Sequence, residues 1–155
     1  MCAWKPNVTV AAVIERAGQF LLVEEHTTHG IGYNQPAGHL EEHESLIDAV
    51  IRETLEETAY HFIPRAVLGL YHWTPPAKPD MSYLRIAFIG DVKEPREQRA
   101  LDTGIIRAEW FDLNTIRALA PQHRSPQVLS CIDDYLAGQR FPLSLLHYLN
   151  GAHRA

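Results

Sequence analysis

The stretch from Gly38 to Tyr60, Gly-His-Leu-Glu-Glu-His-Glu-Ser-Leu-Ile-Asp-Ala-Val-Ile-Arg-Glu-Thr-Leu-Glu-Glu-Thr-Ala-Tyr, constrains this chain more than any other. Glu53, Glu56 and Glu57 stand at i, i+3 and i+4, so a helix places them on one face, one above the other. Three like charges so placed repel one another, and a helix gains from them only if a cation sits among them. Glu44 lies just before the helix and can swing back to the same place. Oxygen-only ligands suit a hard cation, Mg²⁺ or Mn²⁺, that keeps several waters and completes its shell from substrate phosphates. The bland alternative is a solvated acidic helix face. Arg52 can pair with Glu56 across one turn, or with Glu44. Ile47, Ile51, Leu55 and Thr58 mark the other side at about 100° per residue, which predicts an acidic stripe cleanly separated from the side that packs. Gly38 falls where backbone must approach something closely.

Gly38, five residues, Glu44, seven residues, Arg52-Glu53 and then Glu56-Glu57 resemble the box of the Nudix family. Two positions depart from that pattern: Thr54 stands for an aliphatic residue and Ala59 for a glycine. Neither supplies a ligand, so helix packing and the exit turn are in question, not the chemistry. The resemblance extends through Pro6–Val10, Asn34–Leu40, Leu84-Arg85, Arg124–Pro126 and Gly138–Leu143, strings similar to a phosphatase branch of the family. It implies an α/β fold, the Nudix α/β/α sandwich with a mixed sheet. It further implies an enzyme that releases inorganic phosphate from nucleoside di- and triphosphates. A thiamin-precursor pyrimidine diphosphate and thiamin diphosphate are implied as further substrates.

The remaining sequence is compatible with that expectation. At 155 residues the chain suits one domain, spanning 1–155. With 46% hydrophobic and 21% charged residues it resembles an ordinary soluble protein. A net charge of −5 with no basic block argues against a nucleic-acid partner and suits a small phosphorylated ligand. Cys2 and Cys131 have no metal or disulfide spacing, and Cys131 reads as a small core residue. No apolar run reaches membrane-span length, and the N-terminus lacks a signal-peptide pattern. Cytoplasm is the expected compartment, with a monomer or homodimer equally open.

In chain order, Met1–Pro6 reads as a loose lead-in. Val8–Ile14 and Gln19–Glu24 read as two strands of a hairpin around an Arg16–Gly18 turn. Glu24 and Glu25 read as solvated strand-end charges, with metal-site neighbours as the alternative. His26–Asn34, with Gly30 and Gly32, reads as a mobile loop that could cover substrate. Ser45 with Asp48 resembles a capping box for a helix from about Leu46 to Thr58. Ala59 falls where a left-handed exit residue is common. Tyr60–Tyr71 reads as extended chain broken near Pro64, His72–Asp80 as a rigid surface loop, and Ser82–Val92 as a central strand. Lys93–Gly104 reads as a charged loop and Ile105–Phe111 as a strand. Asp112–Asn114 opens a short helix to Leu119, and Ser125-Pro126 starts a last helix that stops at Gly138. Phe141–Leu149 has no assigned type.

The expected chemistry is hydrolysis assisted by Mg²⁺, with Mn²⁺ as a substitute. Glu53, Glu56 and Glu57 with the Gly38 carbonyl, and Glu44 beside them, are the candidate ligands. Glu56 or Asp102 is the candidate base, and Arg52 orients the glutamates. Candidate substrate contacts are Arg85, Tyr33, Trp73 and Lys78, each with a structural alternative. For Arg85 the alternatives are a box glutamate or a substrate phosphate, because a buried arginine needs a partner. Two other functions remain open: hydrolysis of a dinucleotide, a nucleotide sugar or another nucleoside triphosphate by a Nudix pyrophosphohydrolase, and nucleotide binding without catalysis.

Overall fold

The computed structural model describes residues 2–95 and 97–150; Met1 of the lead-in, Arg96 of the charged loop and residues 151–155 lie outside these. The chain forms β1 (Asn7–Val13), β2 (Glu15–Arg16), β3 (Gln19–Thr27), β4 (Gly30–Asn34), β5 (Ala37–His39), α1 (Leu46–Thr58), β6 (His61–Trp73), β7 (Tyr83–Lys93), β8 (Ile105–Asp112), α2 (Leu113–Ala118) and α3 (Gln127–Leu136).

A mixed sheet runs β5-β1-β7-β6. Only β1 and β7 are parallel, in register from Asn7↔Tyr83 to Val13↔Ile89. Their central stretches, Val10–Val13 and Arg85–Gly90, are buried on both faces, as a parallel pair between layers requires. Alternation along the strands divides the core in two. Val10, Ala12, Ile86 and Phe88 meet Ala49 and Val50 of α1. Val13, Ala87 and Ile89 meet Ile116 of α2 and Cys131 and Ile132 of α3. Helices therefore cover both faces, the α/β/α arrangement expected from the resemblance. Fully buried Phe88 alone contributes about 1.5–3 kcal/mol through water exclusion.

A second, antiparallel sheet is built around β3, which pairs with β2, β4 and β8. This corrects the expected first hairpin. The chain turns at Ala17 (φ 51°) and Gly18 (φ 80°), a pair of left-handed residues suited to a tight hairpin. Only Glu15–Arg16 pairs there, and β1 belongs to the other sheet. The expected loop at His26–Asn34 is also corrected. β3 continues to Thr27 and returns as β4, so the glycines sit in a strand. Cross-strand pairing outweighed the local cost of glycine there.

The break expected at Pro64 does not occur. β6 runs through it as the edge strand, pairing Pro64 with Gly90, and the register shifts between Pro64 and Ala66. An edge position with a bulge needs no donor from proline. β6 also takes in His72 and Trp73, so the rigid loop begins at Thr74. Beyond α3, Phe141 bridges Val67 of β6, and Leu143–Leu145 form a 3-10 turn. None of the described helices is long and apolar enough to cross a membrane.

Candidate active site

Helix α1 begins as its sequence indicates. Ser45 Oγ accepts from the Asp48 amide at 3.0 Å, satisfying one orphan donor of the first turn. It ends at Ala59 with φ 64°, whose N–H bonds back to Leu55 O. The family's exit turn is thus kept without its glycine.

The expected packing side holds in part, since Thr58 is buried and Ile47 and Ile51 pack against the core, but the acidic side is not left to solvent. The buried residues of α1 are Ala49, Val50, Glu53, Thr54, Glu57 and Thr58, whereas Ile47, Ile51 and Leu55 are half-buried. Two of the three glutamates point inward, because β5 and the Asp102 loop close over that side. Thr54 fits this crowded face because its hydroxyl donates to Val50 O at 2.8 Å, within its own helix.

Gly38 in β5 is where the close approach occurs. A Cβ there would overlap the Glu53 carboxylate, so no other residue leaves room for it. Arg52 then ties the corner together. It grips Glu44 with Nε and Nη2 at 2.9 and 2.7 Å, and Nη1 reaches Glu53 at 2.8 Å and Glu56 at 3.1 Å. Nη2 also donates to His39 O at 3.0 Å. These bonds hold Arg52 firmly charged, and the same grip holds the Glu44 carboxyl below its usual range.

Glu44, an expected ion ligand, is engaged by the arginine: both of its oxygens accept from Arg52, and one also accepts from the Glu41 amide at 2.7 Å. Asp102 joins the corner. One carboxylate oxygen each from Glu53, Glu56 and Asp102 lie within 4.8 Å of one another. The Asp102 amide donates to Glu56 O at 2.9 Å, which fixes that loop against the helix.

Glu57 stands beside the trio. Its Oε2 accepts from the Ala37 amide at 3.0 Å. Burial pushes its carboxyl up to about 9; the Ala37 N–H opposes this, and Glu53, Glu25 and Asp102 reinforce it. Burial also raises Glu53, against the pull of Arg52. Crowded oxygens whose charges are unfavourable alone are the donor set that fits a hard divalent cation.

An open cleft of about 910 Å³ adjoins this corner and is lined by Ala37 and Gly38, by Thr9 and Arg85, and by the β3–β4 hairpin. Trp73 and Lys78, two expected substrate contacts, line it. Trp73 is already stacked on Tyr83, with centroids 5.9 Å apart. Tyr33 is placed otherwise: its ring packs edge-on against Phe111 at 5.8 Å and does not line the cleft. Arg85 reaches the cleft and pairs with no box glutamate, donating instead to Gln35 and Asn34.

Glu24 and Glu25 are not solvated strand ends. Glu24 is buried and bonds Arg107 at 2.6 Å, while Glu25 faces the cleft opposite Arg124 at 3.3 Å. Burial raises the Glu25 carboxyl and Arg124 partly restores it. Of the cleft residues, Glu25 is open from the sequence to a place near the metal site and Asn34 falls in the segment expected over substrate, whereas Arg124 carries no such signal. Period-two alternation separates Glu24 from Glu25 once the strand is extended to Thr27.

A family model described as the NUDIX domain matches residues 4–129. The chain belongs to the Nudix hydrolase family. Phosphatase NudJ of Escherichia coli (strain K12) is 36% identical over 147 residues, spanning 95% of this chain and 94% of NudJ. A NUDIX hydrolase from Nitrosomonas europaea superposes with a TM-score of 0.91 at 52% identity, covering 96% of this chain and all of that one. A UDP-X diphosphatase superposes at 0.70 with 16% identity, over 92% of this chain and 68% of its own, and shows the fold alone. The Nudix resemblance read from the box, and the sandwich it implies, are both borne out. Hydrolysis of phosphoanhydride bonds is the general chemistry this membership supports.

Proposed function

We propose that this Nudix hydrolase uses Mg²⁺, or Mn²⁺ in its place, to release inorganic phosphate from nucleoside di- and triphosphates. Thiamin-related pyrimidine diphosphates belong to the same substrate set. The observation carrying this reading is the corner of oxygen atoms from Glu53, Glu56 and Asp102, with Glu57 beside it, next to Ala37 and Gly38, which line a cleft of about 910 Å³. The choice of phosphatase rests on the similarity to NudJ along nearly the whole of both chains.

Glu53, Glu56 and Glu57, with the Gly38 carbonyl, would hold the ion. Bound there, it supplies positive charge opposite the phosphates and makes water a better nucleophile. Arg52 keeps Glu53 and Glu56 oriented and partly offsets their repulsion. Asp102 is the better base of the two candidates. Among the described residues it forms no ion pair, whereas Glu56 is held by Arg52. Trp73 and Lys78 contact the organic group and a phosphate from the cleft wall. We read the chain as a single-domain cytoplasmic enzyme, monomer or homodimer, without a nucleic-acid partner. Its two free thiols and net charge of −5 support that reading.

The test is a time course on a nucleoside triphosphate with Mg²⁺ and no added pyrophosphatase, reading phosphate and pyrophosphate separately. Phosphate should appear twice per molecule, through a diphosphate intermediate. Stoichiometric pyrophosphate without that intermediate would overturn the phosphatase reading and favour a pyrophosphohydrolase.

A further inference from the structure

One charge in the cleft is not neutralised by the protein itself. Arg85 on β7 is 4% exposed, and among the described residues no carboxylate pairs with it. Nη1 donates to Gln35 Oε1 at 2.8 Å and Nη2 to Asn34 Oδ1 at 2.9 Å. Gln35 is itself fixed, because its amide nitrogen donates to Val128 O at 2.9 Å and so leaves its oxygen for Arg85. Both acceptors are neutral. Nε is the one buried side-chain polar atom among the described residues without a hydrogen-bond partner; the buried Cys131 thiol lies beside the guanidinium, and Glu57 and Tyr71 act on it only through space. A guanidinium stays charged at any working pH, so burial cannot be relieved by losing the proton. The arrangement costs stability for as long as no anion is present.

The surroundings indicate the class of that anion. Arg85, Lys78 and Arg124 line the cleft of a chain whose net charge is −5. Glu25 is the one acidic residue lining it, and Arg124 already faces that carboxylate at 3.3 Å. The same cleft reaches Ala37, whose amide holds Glu57, and Gly38, against which Glu53 lies. Ala37 and Gly38 therefore stand between the Arg85 end of the cleft and the carboxylate corner, and the Glu57 carboxyl is near enough to Arg85 to be felt by its charge.

We propose that Arg85 is a specificity-determining residue that binds one phosphate of the substrate while a second, linked phosphate lies at the carboxylate corner. A ligand with two joined phosphates is then gripped at both ends, and one with a single phosphate is not. This deepens, and rests on, the phosphoanhydride reading above. The competing account is a brace, in which Arg85 only ties the end of β4 to β7 through Asn34 and Gln35. The two accounts differ in how the protein responds to an anion.

The experiment uses the whole chain with Mg²⁺ and, as the probe, imidodiphosphate, the pyrophosphate whose bridging oxygen is replaced by NH so that it is not turned over, with inorganic phosphate as the comparison. Binding is followed by calorimetry and by the shift in Tm. Imidodiphosphate should raise the Tm of the unmodified protein more than phosphate does. Arg85→Met should be at least as stable without ligand, since an uncompensated buried charge is gone, and should bind imidodiphosphate at least tenfold more weakly. Arg85→Lys, which keeps the charge and loses the fork, should fall between. A folded Arg85→Met protein that binds imidodiphosphate as tightly as the unmodified chain overturns the proposal, as does no stabilisation of the unmodified chain. If Arg85→Met does not fold, Arg85→Lys and Asn34→Ala decide in the same way, unchanged affinity in both overturning it. Because binding is read without turnover, failure of the phosphatase reading leaves this result interpretable, and the reverse holds.

Discussion

Arg52 and Arg85 are both largely withdrawn from water, and the protein treats their charges in opposite ways. Arg52 is bonded to Glu44, Glu53 and Glu56 and lies 3.5 Å from Glu41, so its charge is used up inside the molecule. Arg85 has two amide oxygens and an unpartnered Nε. The first arrangement makes a rigid corner whose carboxylates are aimed but still in excess. The second leaves a positive charge facing a cleft. On the function proposed above, the first would receive a cation and the second an anion, the pair of charges that a metal-bound phosphoanhydride brings.

The contrast breaks most visibly at Arg52. Arg52→Gln should leave Glu44, Glu53 and Glu56 facing one another with no cation. We expect a loss of about 3 kcal/mol or more in urea unfolding at neutral pH, the scale of removing one partner from a buried ion pair. A loss below about 1 kcal/mol would mean that Arg52 does not hold the corner together.

Glu57 sharpens the comparison next, since its buried carboxyl has no cationic side chain paired with it among the described residues. Glu57→Gln should lower kcat at least about a hundredfold with the fold intact, the scale of removing a charge-stabilising element. The same variant tests a pH effect in metal-free protein. Burial raises the Glu57 pKa to about 9 in the folded chain, above its value of 4.5 when exposed. The native state then holds more protons than the unfolded state, so stability should fall as pH rises from 4.5 towards 9. Glu53, also raised by burial, acts in the same direction. Thermal unfolding across that window should show the fall, with less of it in Glu57→Gln and with added Mg²⁺. A slope the same in both proteins would show that Glu57 is not the group responsible.

The smallest effect concerns the end of the helix that carries the corner. Ala59 adopts φ 64°, a conformation in which a Cβ is strained. Ala59→Gly should raise stability by up to about 1 kcal/mol. A measured loss would mean that the entropy glycine adds to the unfolded chain outweighs that strain.

Much of the corner could be read before any coordinates were considered. Ser45, Asp48 and the limits of α1 follow from local hydrogen bonding, and Glu53, Glu56 and Glu57 share a face by helix geometry alone. The burial of Glu53 and Glu57 could not be read, because periodicity assigns charge to water. Here Arg52 and the Ala37 amide make the burial of Glu53 and Glu57 tolerable. Pro64 and the glycines of β4 misled for the opposite reason. Their local preferences were overridden by pairing with strands distant in sequence.

The spacing of Gly38, Glu44, Arg52, Glu53, Glu56 and Glu57 by itself determined the family and the class of chemistry, since those residues lie within a few turns of chain and share one rigid frame. Only the tertiary structure decided that Asp102 completes the corner while Glu44 serves Arg52, that Tyr33 packs away from the cleft, and that Arg85 has no carboxylate. Each of these depends on which side chains meet across strands and loops far apart in sequence. No local rule fixes whether a buried charge finds its partner inside the protein or leaves it to a ligand.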